Sequence, residues 1–215
     1  MRLLQLATAL VSLGGITLSK PIPQGGDVPS GKYCDPESTI CYSEYITPEG
    51  IAIRIAIPDT ATTGNFSALL QIQAPRQVGW AGVAWGGTMV NNPLTVAWAN
   101  GDGAVVSSRS ASARTYPTPY DGASYTVLSG TVANSTHWTL SALAEGISSF
   151  GATQLDPSGT VPLAYAMSVQ PPSDPASNSS RFSMHNSRGM WTHDLNSAKI
   201  ADFDALVESV LPGTA

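Results

Sequence analysis

Isoleucine occupies every second position of Ile51-Ala-Ile-Arg-Ile-Ala-Ile57, and this alternation constrains the fold more than any other feature of the chain. Side chains of an extended backbone point to opposite faces in turn, so a period of two marks a strand with one buried face. β-branched side chains also pack well on a pleated surface. Pro58 and Asp59 end the run. Comparable short runs follow at residues 67–73, 79–85, 94–98, 104–108, 125–128, 137–141 and 163–169, separated by turn residues. Asn100-Gly-Asp-Gly103, between two of them, signals a tight hairpin. Only residues 197–210 carry apolar side chains near helical spacing. Regularly spaced short strands with little helix predict an all-β antiparallel β-sandwich with a short C-terminal helix. The 215 residues suffice for one such domain with a full core.

The N-terminus reads as a secretory signal. Arg2 supplies the positive end, residues 3–18 are almost wholly apolar or small, and cleavage is expected near Ser19 or Lys20. The stretch is too short for a membrane anchor, and no second long apolar run follows. The expected organisation is a signal peptide at 1–19, a flexible lead-in rich in Pro and Gly at 20–32, and one domain at 33–215. A secreted, extracellular and monomeric protein is expected. Three glycosylation sequons fit that compartment, at Asn65, Asn134 and Asn178. There the close pair Cys34 and Cys41 is expected to form a disulfide stapling a short loop. Two thiolates without a nearby histidine do not complete a zinc site. The formal net charge of −5 argues against a nucleic-acid partner and suits attraction to a positively charged one.

The chemistry-bearing residues are few. Of three histidines, His137 lies in a strand-like run and reads as structural or surface. His193, beside Asp194, is either a ligand or a ring oriented by that carboxylate. His185 sits in the polar segment 181–189, the kind of loop that carries function on a β scaffold. Met167 reads as core, and Met184 and Met190 as packing residues. Met89 follows two glycines in a turn and is either an adaptable plug or a soft ligand. A thioether and an imidazole together hold low-spin haem iron in electron-transfer cytochromes. Enzyme signatures are missing: no nucleophile elbow, phosphate loop, zinc-protease motif or covalent haem motif is present, and no catalytic site is identified.

Two segments carry a resemblance. Gly79-Trp-Ala-Gly-Val-Ala-Trp-Gly-Gly-Thr-Met-Val-Asn-Asn-Pro-Leu-Thr-Val-Ala-Trp-Ala-Asn-Gly101 resembles the haem-binding segment of the cytochrome domain of fungal cellobiose dehydrogenases and related secreted iron-reductase-like proteins. Phe182-Ser-Met-His-Asn-Ser-Arg-Gly189 is similar to that family's second haem segment. The resemblance runs from about Tyr33 to the C-terminus. It implies an immunoglobulin-like sandwich holding one non-covalent haem b, with Met89 and His185 as axial ligands. It also implies Tyr116, and with it Tyr120 and Arg114, as neighbours of the propionates. Val90 and Met184 would line the slot.

The implied function is single-electron transfer by a stand-alone secreted b-type cytochrome. The chain departs from the best-known members in having no flavin dehydrogenase domain and no mid-domain cysteine pair. Its donor would be a flavin dehydrogenase or a small-molecule reductant. A copper polysaccharide monooxygenase is the acceptor the family suggests. The alternative is a carbohydrate-binding β-sandwich without a redox role, using some of Trp80, Trp85, Trp98, Trp138 and Trp191 to stack on sugars.

Overall fold

A computed structural model describes residues 31–213. The expected signal peptide, and the lead-in up to residue 30, lie outside the described residues. In chain order the strands are β1 (Gly31–Cys34), β2 (Cys41–Ile46), β3 (Ala52–Pro58), β4 (Ala68–Pro75), β5 (Trp80–Trp85), β6 (Leu94–Asn100), β7 (Gly103–Ser110), β8 (Thr118–Pro119), β9 (Ser124–Val127), β10 (Val132–Ala133), β11 (His137–Glu145), β12 (Ser149–Phe150), β13 (Thr153–Gln154), β14 (Thr160–Ser168), β15 (Ser187–Asp194) and β16 (Lys199–Ile200). One helix, α1 (Phe203–Ser209), follows. β1 thus begins inside the stretch expected to be lead-in.

Two sheets face each other. The first runs β1-β2-β3-β4-β11-β10, with β9 also on β11 and β16 parallel to β3; the second runs β15-β14-β5-β6-β7-β8. All other pairings between these strands are antiparallel. The result is an antiparallel β-sandwich with a short C-terminal helix, as the strand pattern predicts. The hairpin at Asn100 is present: Asn100 pairs with Gly103 across a two-residue turn.

Alternation decides which side chains enter the core. Ile51, Ile53, Ile55 and Ile57 meet Leu70, Ile72 and Leu140 from the first sheet and Val83, Trp85 and Leu163 from the second. Tyr45 of β2 stacks on Trp191 of β15 at 4.5 Å and 5°, joining the two sheets at one edge. The opposite face of β3 is buried too: α1 lays Phe203 beside Ala56, Leu69 and Tyr42. Arg54 sits under Tyr33, 3.5 Å from its ring centroid, and donates to Glu44 Oε2 at 2.7 Å.

All five tryptophans are buried, from 0% exposed for Trp85, Trp98 and Trp138 to 4% for Trp80. None presents the open ring face that sugar stacking needs. The disulfide Cys34–Cys41 is present and joins paired residues of β1 and β2. Three expectations need correction. The helix spans only seven residues, because Asn196–Ala198 forms a 3-10 turn, Lys199–Ile200 pairs with β3, and Asp202 is left-handed at φ 55. Met184 and Met190 do not pack: they are 84% and 54% exposed. The polar loop ends at Asn186, and β15 starts at Ser187.

Candidate functional site

The outward face of the second sheet is apolar, which is unusual for a surface layer. Trp80, Ala84, Leu94, Val96 and Trp98 form a buried cluster there, with Met89, Ala164, Ala166 and Phe182 packed against it. The register explains its shape. Gly82 pairs with Ala166 and Ala84 with Ala164, so the strands at the centre present nothing larger than a methyl group. The bulky rings stand to one side of this floor.

The turn after β5 brings Met89 to this face. Gly86 and Gly87 adopt φ of +105 and +84. A Cβ on Gly87 would lie 2.9 Å from the Pro162 side chain, and one on Gly86 would lie 2.6 Å from Asn92 Oδ1. Glycine alone meets both demands at low cost. Asn92 Nδ2 donates to the Thr88 carbonyl and to Thr88 Oγ1, both at 2.8 Å, and the Asn91 N–H donates to Ala111 O at 2.8 Å. Gly87→Ala is expected to cost about 1–3 kcal/mol of stability through backbone strain and this clash. A urea titration checks it, and an unchanged midpoint would mean that the turn relaxes freely.

The segment carrying His185 reaches the same face from the other end of β5. Phe182 packs on Trp80 at 5.0 Å and on Tyr116 at 5.3 Å. The Phe182 N–H donates to the Tyr116 hydroxyl at 3.1 Å. Ser183 Oγ donates to Ser168 Oγ at 2.8 Å. Asn186 fixes the far side of His185: its N–H donates to Met167 O at 2.8 Å, and its Oδ1 accepts from Ser168 Oγ at 2.8 Å. Met167 pairs with Ala81 at the start of β5, whereas Met89 follows its end. Both loops therefore border one apolar cluster from opposite ends. His185 is half-buried, and burial together with the nearby Arg188 guanidinium holds its pKa below the usual histidine value. Its imidazole is neutral at neutral pH and keeps a lone pair to offer.

The other expected residues divide. Tyr116 belongs to this cluster through Phe182, with the Arg181 guanidinium 4.8 Å above its ring. Val90 and Tyr120 instead line a cleft of about 730 Å3 with Gly86, Asn91, Ala111 and Phe150, which includes neither Met89 nor Phe182. Arg114 is exposed, and Met184 projects outward beside His185. His193 is buried, and its Nδ1 accepts from Trp191 Nε1 at 3.1 Å. Asn65, Asn134 and Asn178 are all exposed. Phe182, which helps to build the cluster, was not singled out by the sequence, and Trp80 and Trp98 were named only as sugar-stacking candidates. The quoted motifs contain all three, and only the register puts them on an outward face. Among the described residues, no group of three or more His, Cys, Asp or Glu converges as a metal site, and no helix is long and apolar enough to cross a membrane.

Comparison with known proteins identifies the fold and the family. The chain is similar to the pyrroloquinoline quinone-dependent pyranose dehydrogenase of Coprinopsis cinerea, 28% identical over 151 residues, which is 64% of this chain and 19% of that protein. The chain thus spans about a fifth of the length of the curated relatives it matches. Among solved structures, the cytochrome b domain of pyranose dehydrogenase from Coprinopsis cinerea superposes with a TM-score of 0.78 at 21% identity, covering 85% of this chain and 96% of that one. The cytochrome domain of Myriococcum thermophilum cellobiose dehydrogenase gives 0.74 at 24% identity, with the same coverage. At those identities the likeness establishes the fold. The family described as the cytochrome domain of cellobiose dehydrogenase matches residues 33–205. The chain belongs to that family of cytochrome domains.

Proposed function

We propose that this chain is an electron-transfer haemoprotein that holds one haem b, without covalent attachment, between Met89 and His185. The observation that carries the reading is the apolar outward face bordered by those two residues. Trp80, Leu94, Val96 and Trp98 are already covered, but Ala164 and Ala166 of the methyl-lined floor are only partly buried, and a floor of that kind suits the edge of a flat macrocycle. The donor set fits as well: a thioether and a neutral imidazole are the soft and borderline ligands that ferrous and ferric iron share. When bound, the group would supply reversible one-electron chemistry, with Met89 and His185 the residues that would hold it.

The chain's own residues do the rest. The Gly86–Gly87 turn and Asn92 aim the Met89 side chain. Ser168, Asn186 and the Phe182 ring hold the His185 segment against the sheet. Tyr116 lies beside the site, its hydroxyl accepting from the Phe182 N–H, and is the residue we assign to the propionates; Arg114 and Met184 would be further neighbours, whereas Val90 and Tyr120 line the separate cleft. The protein is secreted after removal of residues 1–19, carries N-glycans at Asn65, Asn134 and Asn178, and acts as a monomer. It takes electrons from a dehydrogenase or a small reductant and delivers them to a copper polysaccharide monooxygenase. The Coprinopsis relative's name makes a quinone dehydrogenase as reasonable a donor as a flavin one.

An absorption spectrum of the purified full chain, supplied with haem, tests the reading. The wild type should show a Soret band that sharpens and shifts on dithionite, with a low-spin α-band. Met89→Ala and His185→Ala should each lose or alter that band. A wild type that takes up no haem, or an unchanged reduced α-band in both variants, would overturn the assignment.

A further inference from the structure

Two cations are buried among the described residues, Arg54 and Arg109, and of these only Arg109 lacks a carboxylate partner. It lies near the end of β7 and is 2% exposed. Among the described residues the only ion pair is Arg54–Glu44, so no carboxylate compensates it. Burying an unpaired charge costs several kcal/mol unless strong hydrogen bonds replace its hydration. Here every recorded partner of the guanidinium is neutral. Nε donates to Ser107 Oγ at 2.7 Å. Nη2 donates to two backbone carbonyls, Asn178 O at 3.0 Å and Ser180 O at 2.9 Å. Ser107 Oγ passes the contact on, donating to Asn178 O at 2.5 Å. The guanidinium also lies 5.6 Å from the Phe182 ring centroid.

The bonds from Nη2 and from Ser107 Oγ end on one strap, residues 173–186, which crosses the apolar face. Trp98 Nε1 adds a bond to Pro175 O at 2.8 Å. The strap closes on itself where the Ser173 N–H donates to Arg181 O at 2.9 Å. Up to Ser180 it is thus held to the sheet by side chains that grip its carbonyl oxygens. Phe182 and His185 follow directly.

We propose that Arg109 is the positioning residue of the histidine-bearing strap, a buried fork whose grip on Asn178 and Ser180 fixes where Phe182 and His185 stand. A planar guanidinium suits this task because Nη2 donates to both carbonyls while Nε, rigidly in the same plane, is fixed on Ser107 Oγ, whereas an ammonium acts as a point donor. The inference rests on the functional reading above only for His185's role as a ligand; the strap itself is tested without haem.

Two measurements decide it on the full chain. In the haem-free protein, Arg109→Gln should speed amide exchange at Ser180 and Phe182 on the order of tenfold relative to β11 amides. Ser107→Ala should give a smaller rise, and Arg109→Lys should retain the charge yet restore only part of the protection. In the haem-loaded protein, Arg109→Gln should convert part of the six-coordinate spectrum to a five-coordinate, high-spin one, with Arg109→Lys intermediate. Unchanged exchange at 180 and 182 in Arg109→Gln overturns the proposal. So does faster exchange with an unaltered spin state, because the strap would then not place His185. A variant that loses protection throughout β11 as well acts on the whole fold and also counts against it. If the wild type takes up no haem, the functional reading fails, and the exchange data alone decide the role of Arg109.

Discussion

Trp138→Ala is expected to lower the free energy of unfolding by about 3–5 kcal/mol, the range for removing a fully buried indole from a close-packed core. Trp138 is 0% exposed and sits in the central cluster with Leu140 and Ala142 of the same strand. Its Nε1 donates to Val78 O at 2.9 Å, which ties β11 to the turn that precedes β5. Alanine would leave a cavity and an unpaired carbonyl together. For a domain of this size the loss is a large share of total stability. A urea titration followed by tryptophan fluorescence measures it, and Trp138→Phe should recover part of the loss by refilling volume. A loss under about 1 kcal/mol in Trp138→Ala would mean that the interior collapses around the gap, against the close packing described.

The second large effect is a loss of stability in mild acid that traces to one ring. His193 is fully buried, and burial pushes its pKa from 6.5 down to about 4, with Asp194 pulling the other way. The Trp191 N–H donates to His193 Nδ1, so that nitrogen must stay unprotonated, while Nε2 has no partner among the described residues. The folded state therefore prefers the neutral ring. Between pH 6.5 and about 4 the unfolded chain binds the proton first, so stability falls as pH falls through that window and levels off below it. The displacement corresponds to on the order of 3 kcal/mol. Thermal melts of wild type and His193→Phe at pH 7, 5.5 and 4.5 test this. The variant should start lower, having left Trp191 Nε1 unpaired, yet show a flatter decline. Parallel declines would assign the acid sensitivity to other groups.

Residues differ in how openly they state their surroundings. The isoleucines of β3 announce a strand because their period is local and their faces chemically distinct. The same holds for Trp85, Trp98 and the hairpin at Asn100. Elements whose form depends on distant partners were hidden. β16 exists because Ile57 and Pro58 extend beyond β2 and accept a parallel neighbour, so a reading by helical period runs straight through it. Met184 and Met190 look like packing residues by composition, but their faces have nothing against them here. At the site, the proposed ligand pair, Met89 and His185, was visible through resemblance of its flanks, since a lone methionine or histidine carries little signal by itself. The apolar face depended on the pairing of Gly82 with Ala166, and Arg109 on a strap 69 residues away in sequence, from Arg109 to Asn178. Neither relation is local.

The turn that presents Met89 satisfies its own polar groups. Asn92 reaches back to Thr88, Thr88 Oγ1 donates to Val90 O at 3.2 Å, and Asn91 is held by Ala111. Its shape owes nothing to the charge of whatever stands above it. In the proposed role, with an electron arriving and leaving beside Met89, such a turn would have few dipoles free to swing and few bonds to exchange. That stiffness would mean a small reorganisation on each cycle, already incurred when the chain folded.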